Sequence, residues 1–179
     1  MPEPRVAVQQ LSSVSVDEMD EEHERCADAM EVLCRERTLL SLQRVLAEFT
    51  MHFGHEEEML DEHLYAAVAP GGSSAAGGFS ADGSARKSHF ADHKRILNEI
   101  RQECVRCNSS GAAAAEEGLP EPLVSEVFAA KVVADFERHA DQYDGHYAER
   151  MAASIAKQAA ADPASSCAGT DGSGCADPE

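Results

Sequence analysis

Residues 123–144 read LVSEVFAAKVVADFERHADQYD and combine a helical pattern with groups that can carry chemistry. Their apolar side chains recur at spacings of three and four residues, the period of one face of an α-helix. These side chains are Val124, Val127, Phe128, Val132, Val133 and Phe136. The stretch ends in a histidine and a carboxylate, His139 and Asp144. It therefore predicts an amphipathic helix from Leu123 to about Ala161 with potential ligands near its middle.

Three further stretches have the composition of helices, and loops rich in Gly, Ser and Pro separate the last three. The predicted helices are Asp17 or Asp20 to about Arg37, Leu42 to Ala69 with Ser41 as N-cap, and about His89 to Asn108. The predicted loops are Pro70–Ser88, which is long and dominated by Gly and Ser, and Ser109–Pro122. No alternation at period two, the sign of a strand, occurs. We expect an all-α fold, an up-down-up-down four-helix bundle over residues 17–161, between an N-terminal arm (1–16) and a disordered tail (162–179).

The charge balance limits the partners that this chain can have. It contains 15 Lys and Arg against 33 Asp and Glu, a net charge of −18 over 179 residues. This excess repels nucleic-acid phosphates and anionic membrane surfaces and disfavours self-association, so we expect a monomer that binds neither. No apolar run reaches the ~20 residues of a membrane helix, and no signal peptide is evident, so we expect a cytoplasmic protein.

The six cysteines do not form a recognisable disulfide or metal framework. Cys104 and Cys107 form a CxxC motif, but no βαβ pattern surrounds it and no second CxxC completes a zinc site. We interpret the motif as two reduced thiols on a helix. A redox-active or metal-binding pair is the alternative.

The eight histidines are informative because several are spaced for one helix face. His52 precedes Glu56 by four residues, and His89 precedes His93 by four, so each pair lies one turn apart on the same face. With His139, His23 and Asp144, each predicted helix offers at least one ligand. Imidazoles with a few carboxylates suit first-row metals such as iron, and this number of ligands suits two metals that share bridging carboxylates.

His139 and Asp144 are the exception to the same-face rule. Five residues separate them, which places them about 140° apart on an ideal α-helix. Either the two side chains reach a site from its flanks, or the helix is distorted near Gly145. His55, His63 and His146 fit no such pattern and are expected on the surface, as are the acidic runs Asp20–Glu22 and Glu56–Glu58 apart from Glu56.

Two other metal-binding patterns are excluded by spacing. Ferritin-like bundles need Glu-x-x-His, and no Glu stands three residues before any of the histidines. The zinc-protease pattern H-E-x-x-H fails as well, because Met59 stands where the second histidine should follow His55 and Glu56.

Taken together, these motifs resemble the hemerythrins, the hemerythrin-like (HHE cation-binding) domain family. The family pattern is His, H-x-x-x-E, H-x-x-x-H and H-x-x-x-x-D, one motif on each helix. Here these are His23, HFGHE (52–56), HFADH (89–93) and HADQYD (139–144). The flanking MDEEHER (19–25) and HFGHEEEMLD (52–61) also look like the family's, as do Tyr65, Pro70 and Tyr147. The resemblance covers roughly residues 17–151.

The resemblance implies two non-haem iron ions bridged by an oxo or hydroxo group. Its implied ligands are His89, His93 and His139 on one iron, His23 and His52 on the other, and Glu56 and Asp144 as bridges. In the family, O2 binds reversibly at the iron with two histidines. The implied function is binding of O2, or a related diatomic gas, for storage, delivery or sensing, and not enzymatic catalysis.

The residues expected around the oxygen pocket are Cys26, Phe53 and Phe136. Cys26 and Phe136 stand where the family usually has large aliphatic side chains. This difference keeps two alternatives open: a di-iron redox enzyme that consumes peroxide or nitric oxide, and an iron-handling or iron-sensing protein.

Overall fold

The computed structural model describes residues 16–65, 81–119 and 123–161, and the regular structure in these ranges is entirely helical. The elements are α1 (Asp17–Glu36), α2 (Leu39–His63), α3 (Ala81–Glu116), α4 (Glu126–His139), a π-helical segment (Ala140–Asp144) and α5 (Gly145–Ala161). The π segment joins α4 to α5 without a break, so the described ranges form four helical rods. The predicted all-α class is confirmed. Residues 1–15 of the predicted arm, Pro70 with residues 66–80, and the predicted tail (162–179) lie outside the described residues.

The junction between α1 and α2 is a tight turn that contains neither Gly nor Pro. Arg37 adopts a left-handed conformation with φ of 52°, and its N–H bonds to the carbonyl of Leu33, which ends α1. Thr38 then caps α2: its side chain accepts from the Ser41 N–H, and the Ser41 side chain accepts from the Thr38 N–H. The prediction of Ser41 as the N-cap is therefore wrong, and α2 begins three residues before Leu42.

The other helix ends also differ from the predicted ones. Helix α2 stops at His63 rather than Ala69, because the N–H groups of Leu64 and Tyr65 both bond to the Leu60 carbonyl and the chain turns there. Helix α3 takes in residues 81–88 and 109–116, which were predicted as loop. At its end the run of alanines at 112–115, the best helix formers, outweighs Ser109 and Gly111.

Two apolar clusters fill the interior. The larger contains Phe49, Phe53 and Phe136 with residues of α1 to α4, and the smaller contains Tyr65, Phe90 and Tyr147. Cys104 and Cys107 both lie on α3, with Cys107 buried in the larger cluster and Cys104 packed against it, in line with the predicted pair of thiols on a helix. Across the described ranges, no helix is both long and apolar enough to cross a bilayer.

Ion pairs connect neighbouring helices. Helix α1 packs on α2 and α4, and α3 packs on the same two helices. Ion pairs join α1 to α2 (Arg25–Glu48), α2 to α3 (Asp61–Arg86) and α3 to α4 (Glu99–Lys131). The guanidinium of Arg86 holds Asp61 through two bonds of 2.5 and 2.6 Å and lies over the ring of Phe90. This pair anchors the part of α3 that was predicted as loop.

Asp135 is the buried centre of the charges between α3 and α4. It bonds to Lys131, Arg138 and Arg95, and these cations outweigh the effect of burial, so its pKa lies below the ordinary value. A lowered carboxylate pKa stabilises the fold above the unfolded-state pKa, and this contribution disappears as the pH falls through the folded-state value.

We expect Asp135→Asn to cost about 1–2 kcal/mol of unfolding free energy at pH 7. The cost should shrink below about pH 4, because the wild-type carboxylate then also loses its charge. Urea unfolding at several pH values measures the loss of unfolding free energy and its dependence on pH. Asp141→Asn is the control, since Asp141 is exposed. If the loss of unfolding free energy did not depend on pH, it would come from altered packing and not from the charge of Asp135.

Candidate metal centre

The seven residues that the sequence predicts as metal ligands are all buried and lie in two adjoining groups. Within each group, one ligand atom from every residue lies within 4.8 Å of the others. The three-histidine group consists of His89, His93, His139 and Glu56, and the two-histidine group consists of His23, His52 and Asp144. The four rods thus bring together residues that are as far apart in the chain as 23 and 144.

The three-histidine group has the geometry of three ligands on one face of an octahedron. The Nε2 atoms of His89, His93 and His139 are 3.0–3.1 Å from one another. Two ligands at right angles, each about 2.1 Å from one metal, lie about 3.0 Å apart, whereas tetrahedral ligands at that bond length lie about 3.4 Å apart. The spacing therefore fits an octahedral ion better than a tetrahedral one.

Carboxylates on the outer side of this group fix which ring nitrogen faces inward. The Nδ1 of His93 is 2.9 Å from Glu57 Oε1, and the Nδ1 of His139 is 3.1 Å from Asp92 Oδ2. When Nδ1–H donates to a carboxylate, the neutral imidazole presents the lone pair of Nε2 to the interior. Lone pairs that converge at 3.0 Å repel each other unless a cation lies between them, so these residues fit a metal ion.

The two buried carboxylates are placed differently. Asp144 spans both groups: its Oδ2 is 3.2 Å from the Nε2 of His23, and its Oδ1 is 3.5 Å from that of His139. Glu56 contacts the three-histidine group with both oxygens, at 3.3 Å from His89 and 3.1 Å from His93. Asp144 thus has the position expected of a bridging carboxylate, while the short contacts of Glu56 are to one group.

The two-histidine group is oriented by Glu22. Its two oxygens lie 3.2 Å from the Nδ1 of His52 and 3.0 Å from the Nδ1 of His55. The acidic runs at 20–22 and 56–58 were predicted as mostly solvated helix faces. Glu22 is instead buried, and Glu57, whose side chain is 31% exposed, bonds to an imidazole. His55 was also predicted on the surface and is instead half-buried against Glu22. His146 is exposed as predicted.

The π-helical segment explains how His139 and Asp144 reach the same centre. Its N–H groups bond five residues back, as the bond from Gly145 N–H to the Ala140 carbonyl illustrates. Each turn then holds almost one residue more than an α-turn, so residues five apart return to nearly the same face. Of the two explanations open at the sequence level, the helix distortion before Gly145 is the one observed.

The pKa values reflect the close packing of like and unlike charges. Burial alone would raise the pKa of Glu56, but the neighbouring imidazoles of His139 and His93 outweigh it and keep this pKa well below the ordinary value. Burial and the neighbouring Glu56 raise the pKa of Asp144. Burial lowers the pKa of His89 to about 3, whereas the hydrogen bond to Asp92 and the nearby Glu56 carboxylate overcome burial and raise the pKa of His139 to about 9.

Aromatic rings enclose the centre on the side of the larger apolar cluster. The ring of Phe53 stacks on His93, with centroids 4.2 Å apart and planes 8° apart, and Phe136 lies 5.9 Å from His23. Cys26 is buried in the same cluster, and burial raises the pKa of its thiol, so it packs as a small uncharged group. The three residues predicted around an oxygen pocket therefore share one apolar cluster next to the histidines. On the other side, Tyr143 stacks on His89 with centroids 4.4 Å apart.

Five imidazoles and two carboxylates form a donor set for first-row transition metals rather than for calcium or magnesium. The two groups could each hold one ion, and Asp144 lies where it could contact both. The carboxylates that bond to the Nδ1 atoms were not predicted from the sequence, although each is adjacent in the chain to a predicted ligand. Glu22 precedes His23, Glu57 follows Glu56 and Asp92 precedes His93. Comparison with protein-family models, curated proteins and solved structures finds no match to this chain.

Proposed function

We propose that this chain is a non-haem di-iron protein of the hemerythrin type. In this proposal it binds O2, or a related diatomic gas, for storage, delivery or sensing, as a cytoplasmic monomer. The observation that carries the proposal is the convergence of five buried imidazoles in two adjoining groups, with Asp144 reaching towards both. A single structural metal would need only one of these groups.

The proposed architecture is the up-down-up-down four-helix bundle of that family. Contacts between successive rods support it, because the contact partner moves backwards along one helix as the position moves forwards along the other. Between α2 and α3, Glu57 contacts His93 and Asp61 contacts Arg86. Between α3 and α4, Asp92 contacts His139 and Glu99 contacts Lys131. Ligands from four antiparallel helices then meet at one level of the bundle.

In this proposal the protein residues hold the metals, orient the rings and exclude water. Iron, when bound, supplies the electrons that reduce O2 reversibly. The three-histidine group with Glu56 and Asp144 would fill most of the positions around one ion, whereas the two-histidine group leaves room for an exogenous ligand. Phe53 and Phe136 make the adjoining space apolar, which suits a neutral gas and keeps bulk water and its protons away.

Two measurements test this proposal. Elemental analysis of the purified protein should give about two irons per chain, the number that two separate donor groups predict. Mixing the reduced protein with O2 in a stopped-flow spectrometer should give a long-lived oxygenated form whose visible absorption disappears when O2 is removed.

The outcomes separate the proposed function from its alternatives. Rapid oxidation without a reversible oxygenated form would favour a redox enzyme that consumes peroxide or nitric oxide. Iron binding with no reaction towards O2 would favour iron handling or sensing. One iron per chain or less after loading with excess Fe²⁺ would contradict the di-iron proposal itself.

A further inference from the structure

We propose that the two groups bind metal in sequence, the three-histidine group first and more tightly, and that Glu22 sets the affinity of the second step. This inference rests on the proposed two-metal site and adds to it an order of loading and a positioning residue. It concerns metal binding alone and is independent of any reaction with O2.

The three-histidine group is the better prepared of the two. Four ligands converge in it, and two of its imidazoles each have a carboxylate of their own on Nδ1: Glu57 for His93 and Asp92 for His139. Asp92 is held in turn by Arg95, whose Nε lies 2.7 Å from its Oδ1. These rings are therefore fixed before any ion arrives, and little ordering remains for binding to impose.

The two-histidine group has less support from its surroundings. It has three ligands instead of four, and the Nδ1 of His23, like that of His89, has no hydrogen-bond partner among the described residues. Its one orienting carboxylate, Glu22, is shared between His52 and His55. Fewer ligands and a shared support predict weaker binding.

Glu22 controls this second site because it is the group that holds His52. An imidazole whose Nδ1–H donates to a carboxylate is oriented and made more basic, and losing such a partner costs about 10- to 100-fold in metal affinity. Removing Glu22 should therefore weaken the second step by about that factor and leave the first step unchanged. Removing Asp92 should weaken the first step instead.

The experiment is an anaerobic calorimetric titration of the metal-free protein with Co²⁺, repeated with Fe²⁺. The wild type should show two steps of unequal affinity. We expect Glu22→Gln to weaken only the second step and Asp92→Asn to weaken only the first. Glu18→Gln is the matched control on the same helix and should change neither. Circular dichroism of each metal-free variant checks the fold, and Glu22→Asp should restore part of the second affinity.

The results distinguish the inference from the function on which it rests. Fewer than two bound ions in the wild type would contradict the two-metal site itself. Two steps of equal affinity, or a Glu22→Gln variant that loses the first step or neither step, would overturn the inference and leave the metal pair intact. If Glu22→Gln fails to fold, Glu22→Asp and His55→Ala provide the comparison, and unchanged second steps in both would overturn it.

Discussion

Asp144→Ala will reduce the metal content from about two ions per chain to less than one. Asp144 is the carboxylate that reaches both groups, with one oxygen near His23 and the other near His139. Its loss removes a ligand from each position and leaves two incompletely coordinated cations to repel each other across a buried space. Elemental analysis of protein loaded with excess Fe²⁺ and then desalted measures this loss.

Two variants make the result specific. Asp141→Ala changes an exposed carboxylate in the same π-helical segment and should keep the full metal content. Asp144→Asn keeps the shape and removes the charge, so it should bind less metal than wild type and more than the alanine variant. A normal metal content in Asp144→Ala would show that Asp144 is not a metal ligand.

Removal of the metal will lower the melting temperature by roughly 8–16 °C. A ligand present at about 1,000 times its dissociation constant stabilises the native state by about 4 kcal/mol, and in a chain of this size each kcal/mol shifts Tm by about 2–4 °C. The metal-free protein also keeps the converging Nε2 atoms of His89, His93 and His139 without a cation between them. Thermal unfolding with and without a chelator, followed by circular dichroism, gives the shift.

Restoration on adding back metal is the essential control for this prediction. A chelator should not affect Asp144→Ala as much as wild type, because that variant has already lost most of the metal. Identical melting curves for metal-free and metal-loaded wild type would mean that the ions bind outside the buried groups.

The sequence predicted the helical class and the middle of every helix, but several helix ends were wrong. The spacing of apolar residues identifies the buried face of a helix. This face includes central residues such as Ile96 and Ile100, whose burial does not depend on where the helix begins or ends. The ends depend on weaker local balances. Thr38, and not Ser41, is the N-cap of α2. Arg86 forms an ion pair with Asp61 of α2, which helps to keep the first residues of α3 helical despite their Gly and Ser.

The candidate metal ligands were easier to predict than the groups that orient them. Spacing of four residues places His52 with Glu56 and His89 with His93 without any tertiary information. The pairing of Glu22 with His52 joins two helices, and its geometry depends on how α1 packs on α2. An acidic residue beside a ligand looks the same in sequence whether it faces water or a neighbouring imidazole.

The π-helical segment also links the residue count between His139 and Asp144 to the type of helix that this interval forms. A π turn is equivalent to one extra residue inserted into an α-helix, so deleting a single residue between His139 and Asp144 would let the helix revert to α geometry. The helix after the deletion would then keep nearly the same face, because four α-helical steps and five π-helical steps turn the chain by almost the same angle, so Tyr147 and Met151 would stay in the smaller apolar cluster. Conversion of the segment to α geometry at its present length would instead rotate everything after it by about 100° relative to α4. The match between residue count and helix type is therefore under stronger constraint than the identity of exposed members such as Asp141 and Gln142.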